Sequence, residues 1–215
     1  MNKKSANFRN FLFATTLAFA VLAFFSKQYQ YFSIDLVITQ FIQRINVFGF
    51  DELMRFVTFL GNAEGMTVIV VLLSIYGFVI GKRHAPLLLL VSTVGGVLLS
   101  YLFKVIILRP RPDPLLIHQV GNFVWSDSFP SGHVMGAISL YGFLLYIVYS
   151  QLKPGFLRKM VIGICVVMIV LMGISRIYLG AHWFSDVLGA YLIGFVWLSV
   201  VVFTYHKMRP NQKKL

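Results

Sequence analysis

Residues 187–205 read VLGAYLIGFVWLSVVVFTY, a stretch without a single charged side chain. A helix of ~20 predominantly apolar residues spans a bilayer, so Val187–Tyr205 is predicted to be transmembrane. Five further apolar runs precede it, at Phe11–Phe25, Met66–Ile80, Ala85–Phe103, Val134–Tyr149 and Met160–Ile174. The shorter runs have weakly polar flanks that can extend each helix to the interface. The sequence therefore predicts an all-α, polytopic membrane protein with six transmembrane helices in one membrane-embedded domain, residues 1–215.

The composition of the 215-residue chain agrees with this prediction. Hydrophobic residues make up 58% of it and charged residues 12%, whereas soluble proteins average about 25% charged residues. An ordinary soluble domain and a disordered chain are thereby excluded. The net charge of +12 favours an anionic membrane surface or an anionic substrate, and nucleic acid is not expected as a partner. Cys165 is the single cysteine, so no internal disulfide can form.

The first apolar run follows Lys3, Lys4 and Arg9 and has two interpretations. A basic start before an apolar run is typical of a secretory signal peptide. However, the small-residue pattern Ala18-Phe19-Ala20 lies inside the apolar stretch, and no polar region leads to it. We therefore expect a retained membrane anchor.

Lysine and arginine are distributed unevenly between the two sides of the predicted bundle. The side that holds both chain ends carries 12 of them and the other side 7, and all seven carboxylates fall on the second side. Cytoplasmic loops carry the excess of basic residues. The sequence thus predicts a plasma-membrane protein with both termini in the cytoplasm and with residues 104–133 and 175–186 outside.

The segment between the first two runs has the periodicity of amphipathic helices. Its apolar residues recur at helical spacing, first at Ile34, Val37, Ile38, Phe41, Ile42 and Ile45, and after Gly49 at Leu53, Phe56, Val57 and Leu60. Asp35, Gln40, Gln43 and Arg44 occupy other faces. Two interpretations are open: short helices in the outer interface, beside an access route from the bilayer, or a connector packed on the bundle.

Three polar clusters lie at the outer ends of the predicted helices. Lys104–Pro112 read KVIILRPRP, Pro130–His133 read PSGH, and Ser175–Asp186 read SRIYLGAHWFSD. Taken alone, the first cluster is typical of basic side chains that reach for the interface at a helix end.

The second cluster immediately precedes the fourth apolar run. Ser131 is predicted to cap that helix, whose N-terminal N–H groups suit a phosphate. Gly132 would let a substrate approach the backbone, and His133 would exchange a proton near neutral pH. For Ser131 and Gly132, an ordinary helix cap and turn is the alternative.

In the third cluster, His182 and Asp186 are four residues apart. On a helix they would share a face, so the carboxylate could accept the proton of one imidazole nitrogen and leave the other as a base or nucleophile. Gly180 permits a turn that could bring Arg176 and His182 together. The alternative is an outer loop with an anchoring arginine, and Trp183 is expected to be an interfacial anchor.

Together the clusters have the composition of an oxyanion site. Lys104, Arg111 and Arg176 could neutralise a phosphoryl group beside His133 and His182. The sequence shows no metal-ligand set, because free carboxylates are few, no cysteine accompanies the histidines, and the cations would repel a divalent ion. We expect neither a metal nor another cofactor.

The three clusters resemble, in order and without departure, the motifs KxxxxxxRP, PSGH and SRxxxxxHxxxD of the type 2 phosphatidic acid phosphatase superfamily. The motifs span roughly the last half of the chain, and residues 30–60 lie outside them. The resemblance implies a metal-independent lipid phosphatase that works through a phosphohistidine. It implies His182 as nucleophile, Asp186 as its orienting group, His133 as acid and base, and Lys104, Arg111, Ser131, Gly132 and Arg176 as phosphate-binding residues. Arg109, in the variable part of the first motif, is expected at most to assist.

A small, wholly membrane-embedded member of this superfamily resembles the bacterial phosphatidylglycerophosphate phosphatases. The implied substrate is that lipid phosphate, arriving sideways from the outer leaflet. Undecaprenyl pyrophosphate is the second candidate, phosphatidic acid the third, and phosphoryl transfer to another acceptor would use the same chemistry. A channel or transporter is less favoured, because neither clear breaks near the midplane nor related halves are evident. The sequence gives no indication of oligomeric state.

Overall fold

The computed structural model of the chain describes residues 3–81, 83–120 and 127–208. Every regular element in these ranges is helical, which confirms the all-α prediction. The elements are α1 (Lys3–Gln28), α2 (Ser33–Gln43), α3 (Phe50–Leu60), α4 (Ala63–Val79), α5 (His84–Ile107), α6 (Gly132–Ala137), a π-helical turn (Ile138–Gly142), α7 (Phe143–Gln151), α8 (Phe156–Tyr178) and α9 (Phe184–Met208). Among the basic residues counted for orientation, Lys82, Arg209, Lys213 and Lys214 lie outside the described ranges.

Five helical stretches are long and apolar enough to cross a membrane by themselves. They are Ser5–Gln28, His84–Ile107, Gly132–Gln151, Phe156–Tyr178 and Phe184–Met208. The predicted second span differs from these, because α4 has 17 residues and reaches spanning length only with α3, from which it is bent by 59°. The prediction of six spans therefore holds when this bent pair is counted as one span.

Helices α2 and α3 form where amphipathic helices are predicted, and in α2 the apolar side faces away from the protein. In α2, Asp35 and Thr39 are buried, whereas Val37 and Phe41 are 62% and 70% exposed. Helix α3 has apolar residues on both sides, because Met54 and Val57 are buried whereas Phe56 is exposed. Helix α2 packs on α8 and α9, and α3 packs on α8 and α4. Both helices therefore pack on the bundle, and their exposed apolar residues suit contact with lipid.

The continuous helical stretch from α6 to α7 is the centre of the bundle, with α5, α8 and α9 around it. Small residues permit close packing there. A Cβ atom at Gly136 would lie 2.4 Å from Met66 Cε, and one at Gly194 would lie 2.8 Å from Ile138 Cδ1. Glycine therefore allows the neighbouring side chains to approach the helix backbones.

The helix ends that carry the three motifs meet at one end of the bundle. Between α6 and α9, the N–H of Ser131 donates to the carbonyl of Asp186 over 3.2 Å. Between the segment after α5 and the segment before α6, the N–H of Ser128 donates to the carbonyl of Arg109 over 2.7 Å. Backbone contacts thus fix the relative positions of the motifs before any side chain is considered.

Candidate active site

The nucleophile candidate His182 lies in the turn between α8 and α9 and is 1% exposed. Its Nδ1 is 3.7 Å from Asp186 Oδ2, and its Nε2 is 3.4 Å from Arg111 Nη1. Burial lowers the pKa of His182 well below its usual range, and the cations Arg111, Lys104 and Arg176 lower it further. The imidazole is therefore neutral at pH 7. With its proton on Nδ1, facing the carboxylate, Nε2 carries a lone pair on the side of the cations.

The turn between Arg176 and His182 depends on Gly180, as predicted. Gly180 has a positive φ of 68°, and a Cβ atom there would lie 2.3 Å from a backbone oxygen. The turn lets the N–H of His182 donate to the carbonyl of Arg176 over 3.2 Å. His182 and Asp186 are adjacent, as predicted, but not on one helix face, because α9 begins after His182.

Three cations surround this histidine, two from the first motif and one from the third. Lys104, in the last turn of α5, donates to the carbonyl of Asp127. Arg111 Nη1 donates to a backbone carbonyl at 2.7 Å, and burial lowers the pKa of its guanidinium. Arg176 is 2% exposed, and its Nη1 donates to Thr58 Oγ1 at 3.2 Å. The structure thus brings together the three predicted phosphate-binding cations.

The start of α6 contributes the PSGH residues. Ser131 occupies the N-cap position, but its hydroxyl makes no capping hydrogen bond, so that part of the prediction is wrong. Its Oγ is buried and has no hydrogen-bond partner in the described part of the chain, an arrangement that costs about 1–3 kcal/mol and suits a ligand contact. A Cβ atom at Gly132 would meet only Ser100 Oγ within 4 Å, at 3.5 Å, so protein packing does not require glycine. His133 Nε2 lies 2.6 Å from Asn62 Oδ1.

The carboxylate of Asp186 is held by groups that the motifs do not include. Its Oδ1 accepts from Arg109 Nη1 over 2.5 Å. Its Oδ2 accepts from the N–H of Trp183 over 2.8 Å and from the hydroxyl of Ser128. Ser128 Oγ also lies 3.5 Å from His182 Nδ1, and thus stands between the carboxylate and the imidazole.

Arg109 connects this carboxylate to helix α2. Its Nη2 donates to Asp35 Oδ2 over 3.0 Å and its Nη1 to Ser185 Oγ over 2.7 Å. Asp35 in turn accepts from the N–H of Ser185 over 2.7 Å. Both partners of the Asp35–Arg109 pair have fully buried side chains. Arg109 therefore does more than the assisting role expected of it, because it joins α2, the first motif and Asp186.

Sequence reasoning missed several residues in this environment. Thr58 contacts both Arg176 and Ser175, the latter at 3.1 Å between hydroxyl oxygens. Trp183, expected at the membrane interface, is buried, with its ring 5.2 Å from that of Tyr31. Asp35 could have indicated this environment from the sequence, because an ionisable residue in an apolar helical segment is costly at membrane depth and indicates a buried partner.

An apolar groove of about 630 Å³ runs along α4 and α5 and ends at the candidate site. Its walls include Val70, Val94 and Leu98, and its inner end is formed by Gly132 and His133. Leu98 is 61% exposed, so this wall belongs to the lipid-facing surface of the helices. The groove connects that surface with the second motif.

Comparisons with known proteins agree on one family. The sequence pattern of the PAP2 superfamily matches residues 85–210. Phosphatidylglycerophosphatase B of Bacillus subtilis is 34% identical over 168 residues, which make up 76% of this chain and 79% of that protein. Undecaprenyl-diphosphatase BcrC of Bacillus subtilis is 28% identical over 147 residues, 68% of this chain and 70% of that protein.

The fold has a solved counterpart. The crystal structure of a transmembrane PAP2 type phosphatidylglycerolphosphate phosphatase from Bacillus subtilis matches with a TM-score of 0.80 and 31% identity. The match covers 94% of this chain and 98% of the other. It therefore extends over α1 to α4, which precede the family pattern.

Proposed function

The chain belongs to the PAP2 superfamily and is a multi-pass membrane lipid phosphatase, and we propose that it releases inorganic phosphate from phosphatidylglycerophosphate through a phosphohistidine on His182. The proposal treats residues 1–215 as one membrane-embedded phosphatase domain. The observation that carries it is the apolar groove that ends at Gly132 and His133. Such a groove fits the acyl region of a lipid whose phosphate lies among the cations.

In the first step, His182 Nε2 attacks phosphorus while the bond to the lipid alkoxide breaks. The position of this nitrogen beside Arg111, 3.4 Å from its Nη1, supports this role. Lys104, Arg111 and Arg176 would hold the equatorial oxygens, whose charge is stabilised in the transition state. The buried, unpaired hydroxyl of Ser131 would supply a further donor, and Gly132 would let the phosphate approach the backbone.

Asp186 would keep the proton of His182 on Nδ1 and stabilise the positive charge that the ring acquires on phosphorylation. Its carboxylate is well suited to this role, because Arg109 and the N–H of Trp183 fix its two oxygens. The separation of 3.7 Å from His182 places Ser128 in a position to relay the contact.

His133 would protonate the leaving alkoxide and then take a proton from the water that cleaves the phosphohistidine, regenerating His182 and releasing phosphate. The position of His133 at the inner end of the groove supports this assignment, because the oxygen of the scissile phosphoester would lie near it. Asn62 Oδ1, 2.6 Å from Nε2, would accept the proton on that nitrogen and orient the ring.

A second candidate substrate is undecaprenyl pyrophosphate. It is favoured by the 28% identity to undecaprenyl-diphosphatase BcrC, and the same residues would act on its terminal phosphate. Phosphatidic acid hydrolysis and phosphoryl transfer to another acceptor need no different machinery.

The decisive assay is phosphate release by detergent-solubilised protein from phosphatidylglycerophosphate, undecaprenyl pyrophosphate and phosphatidic acid in parallel. We expect the highest kcat/KM for the first, a rate lower by a factor on the order of 10³ or more for His182→Ala, and a phosphate-labelled histidine only in the wild type. A thermal unfolding curve for His182→Ala shows whether the variant is folded. Equal phosphate release by folded His182→Ala would contradict the nucleophile assignment.

We further propose that the site faces outward in the plasma membrane, with both termini in the cytoplasm and the lipid arriving from the outer leaflet. The asymmetry of basic residues, 12 against 7, supports this orientation. Leu115, 91% exposed in the segment after α5, offers a labelling position. In a Cys165→Ser background, Leu115→Cys should react with a membrane-impermeant maleimide in intact cells. Lys153→Cys, at the other end of the bundle, should react only after lysis, and the reverse pattern would overturn the orientation.

A further inference from the structure

One side of α3 carries a row of polar residues that leads outward from the candidate active site. Asp51, Arg55, Thr58 and Asn62 follow one another at intervals of four, three and four residues, the spacing that places side chains on one helix face. Asn62 lies between α3 and α4, where it is the N-cap residue of α4. The inner two members contact active-site residues, Thr58 at Arg176 and Asn62 at His133. Arg55 therefore lies about one helical turn further out on the same side.

A cavity of about 260 Å³ lies against this row. Arg55, Thr58 and Asn62 line it from α3, and His133 and Arg176 line it from the active site. It meets the apolar groove only at Asn62 and His133, because the groove continues along α4 and α5 instead. The cavity therefore borders both the groove and the cation Arg176, the two places that the acyl region and the scissile phosphate would occupy.

We propose that this cavity binds the second anionic phosphorus group of the substrate, the one that is not hydrolysed, with Arg55 as its cation. This inference rests on the proposed function. A diester phosphate, joined through glycerol to the scissile phosphate, is the group that phosphatidylglycerophosphate would bring there. Guanidinium is suited to it, since its planar donors match two phosphate oxygens.

The contacts of Arg55 leave it able to bind an incoming anion. Its Nε lies 2.9 Å from Asp51 Oδ2, and the two side chains are 56% and 44% exposed. An exposed pair of this kind contributes little to stability. A phosphate in the cavity can replace Asp51 as the partner of Arg55 at little cost in free energy. Asp51 therefore competes with the phosphate for Arg55.

The position of the cavity also predicts selectivity. Phosphatidic acid has a single phosphorus group, which the inner cations would hold, and it has nothing to place beside Arg55. A lipid with two phosphorus groups gains the additional contact. Arg55 therefore distinguishes the two classes of lipid phosphate by affinity for the headgroup and not by acyl-chain contacts.

The test is a binding experiment in the full-length His182→Ala background, so that turnover does not interfere. Dissociation constants are measured in detergent micelles for phosphatidylglycerophosphate and phosphatidic acid. Adding Arg55→Ala should raise Kd for the first lipid about tenfold and leave Kd for the second within twofold. Adding Asp51→Asn should lower Kd for the first lipid, because the competitor loses its charge.

Arg44→Ala is the matched control, since it removes an exposed cation from the neighbouring α2–α3 connection and should change neither constant. Equal increases for both lipids in Arg55→Ala, or no increase for either, would overturn the inference. Failure of the proposed function is seen separately, as absence of phosphate release by the wild type, because the binding comparison needs no hydrolysis.

Discussion

Two aspartate–arginine pairs flank the candidate active site, and their geometry is nearly the same. Asp35 and Arg109 are 3.0 Å apart beneath the site, and Asp51 and Arg55 are 2.9 Å apart at its outer side. The first pair is fully buried, whereas the second is about half exposed. Burial, and not distance, therefore separates them: the first pair is a fixed part of the framework, and the second can be exchanged for a ligand.

The largest effect should come from Arg109→Ala. This change leaves two buried carboxylates, Asp35 and Asp186, without their shared cation, and breaking a buried pair in this way costs about 3–5 kcal/mol. Thermal unfolding in detergent measures the loss. Arg109→Lys should recover only part of it, because one ammonium cannot reproduce the planar contacts to both carboxylates. An Arg109→Ala protein as stable as the wild type would show that the buried pair is not structural.

A smaller effect is expected from neutralising the aspartates one at a time. Asp35→Asn should cost about 1–3 kcal/mol, since a buried hydrogen-bond partner is altered. Asp51→Asn should change stability by less than ~1 kcal/mol, because its partner stays in water. The two unfolding midpoints test the comparison directly, and equal shifts would contradict it.

The pH dependence of the free energy of unfolding tests the effect of burial on a third side chain, His182. The pKa of His182 is well below its usual range in the folded protein, so the unfolded chain binds a proton there at a higher pH than the native protein does. Wild-type stability should therefore fall, relative to His182→Asn, as pH drops below ~6.5, the ordinary histidine pKa. Above pH 7 the imidazole is neutral in both the folded and the unfolded protein, so His182 makes no pH-dependent contribution to stability. Unfolding midpoints from pH 5 to pH 8 measure it, and a difference that widens in the alkaline direction would contradict the assignment.

The smallest effect is expected from chelation. In the described residues, no group of three or more histidine, cysteine, aspartate or glutamate side chains is arranged to hold a metal ion. If phosphate charge is neutralised by Lys104, Arg111 and Arg176, EDTA should leave kcat/KM unchanged within error. Strong inhibition that magnesium reverses would contradict this mechanism, with calcium as the control for nonspecific effects.

The motifs predicted which side chains lie together because they fix residue type and order together. His182, Arg176 and Asp186 come from one short segment, and the positive φ at Gly180 brings the first two together as the spacing indicates. The expected cap at Ser131 is wrong, because its buried hydroxyl makes no hydrogen bond to the backbone N–H groups of α6. Spacing alone identifies a capping position but does not determine a rotamer.

The periodicity of residues 34–60 predicted helices but left open which side faces the protein. In water the apolar side would be buried, whereas at a membrane the lipid can cover it. The buried side of α2 therefore carries Asp35 and Thr39. Thr58 and Asn62 were missed for the same reason, since their partners Arg176 and His133 are more than seventy residues away and no local pattern links them.

The 59° bend between α3 and α4 divides a bound lipid into two chemical parts. On the α4 side the wall is mainly apolar, although it includes Glu64, and it continues along α5 onto exposed residues such as Leu98. On the α3 side it carries Arg55 and Thr58. Asn62 stands at the bend itself, bonded to His133. The bend thus marks where the acyl region of the lipid would end and its headgroup would begin. Because the groove continues onto the lipid-facing surface, added methylene groups would extend into the bilayer, and turnover should tolerate acyl chains of different length.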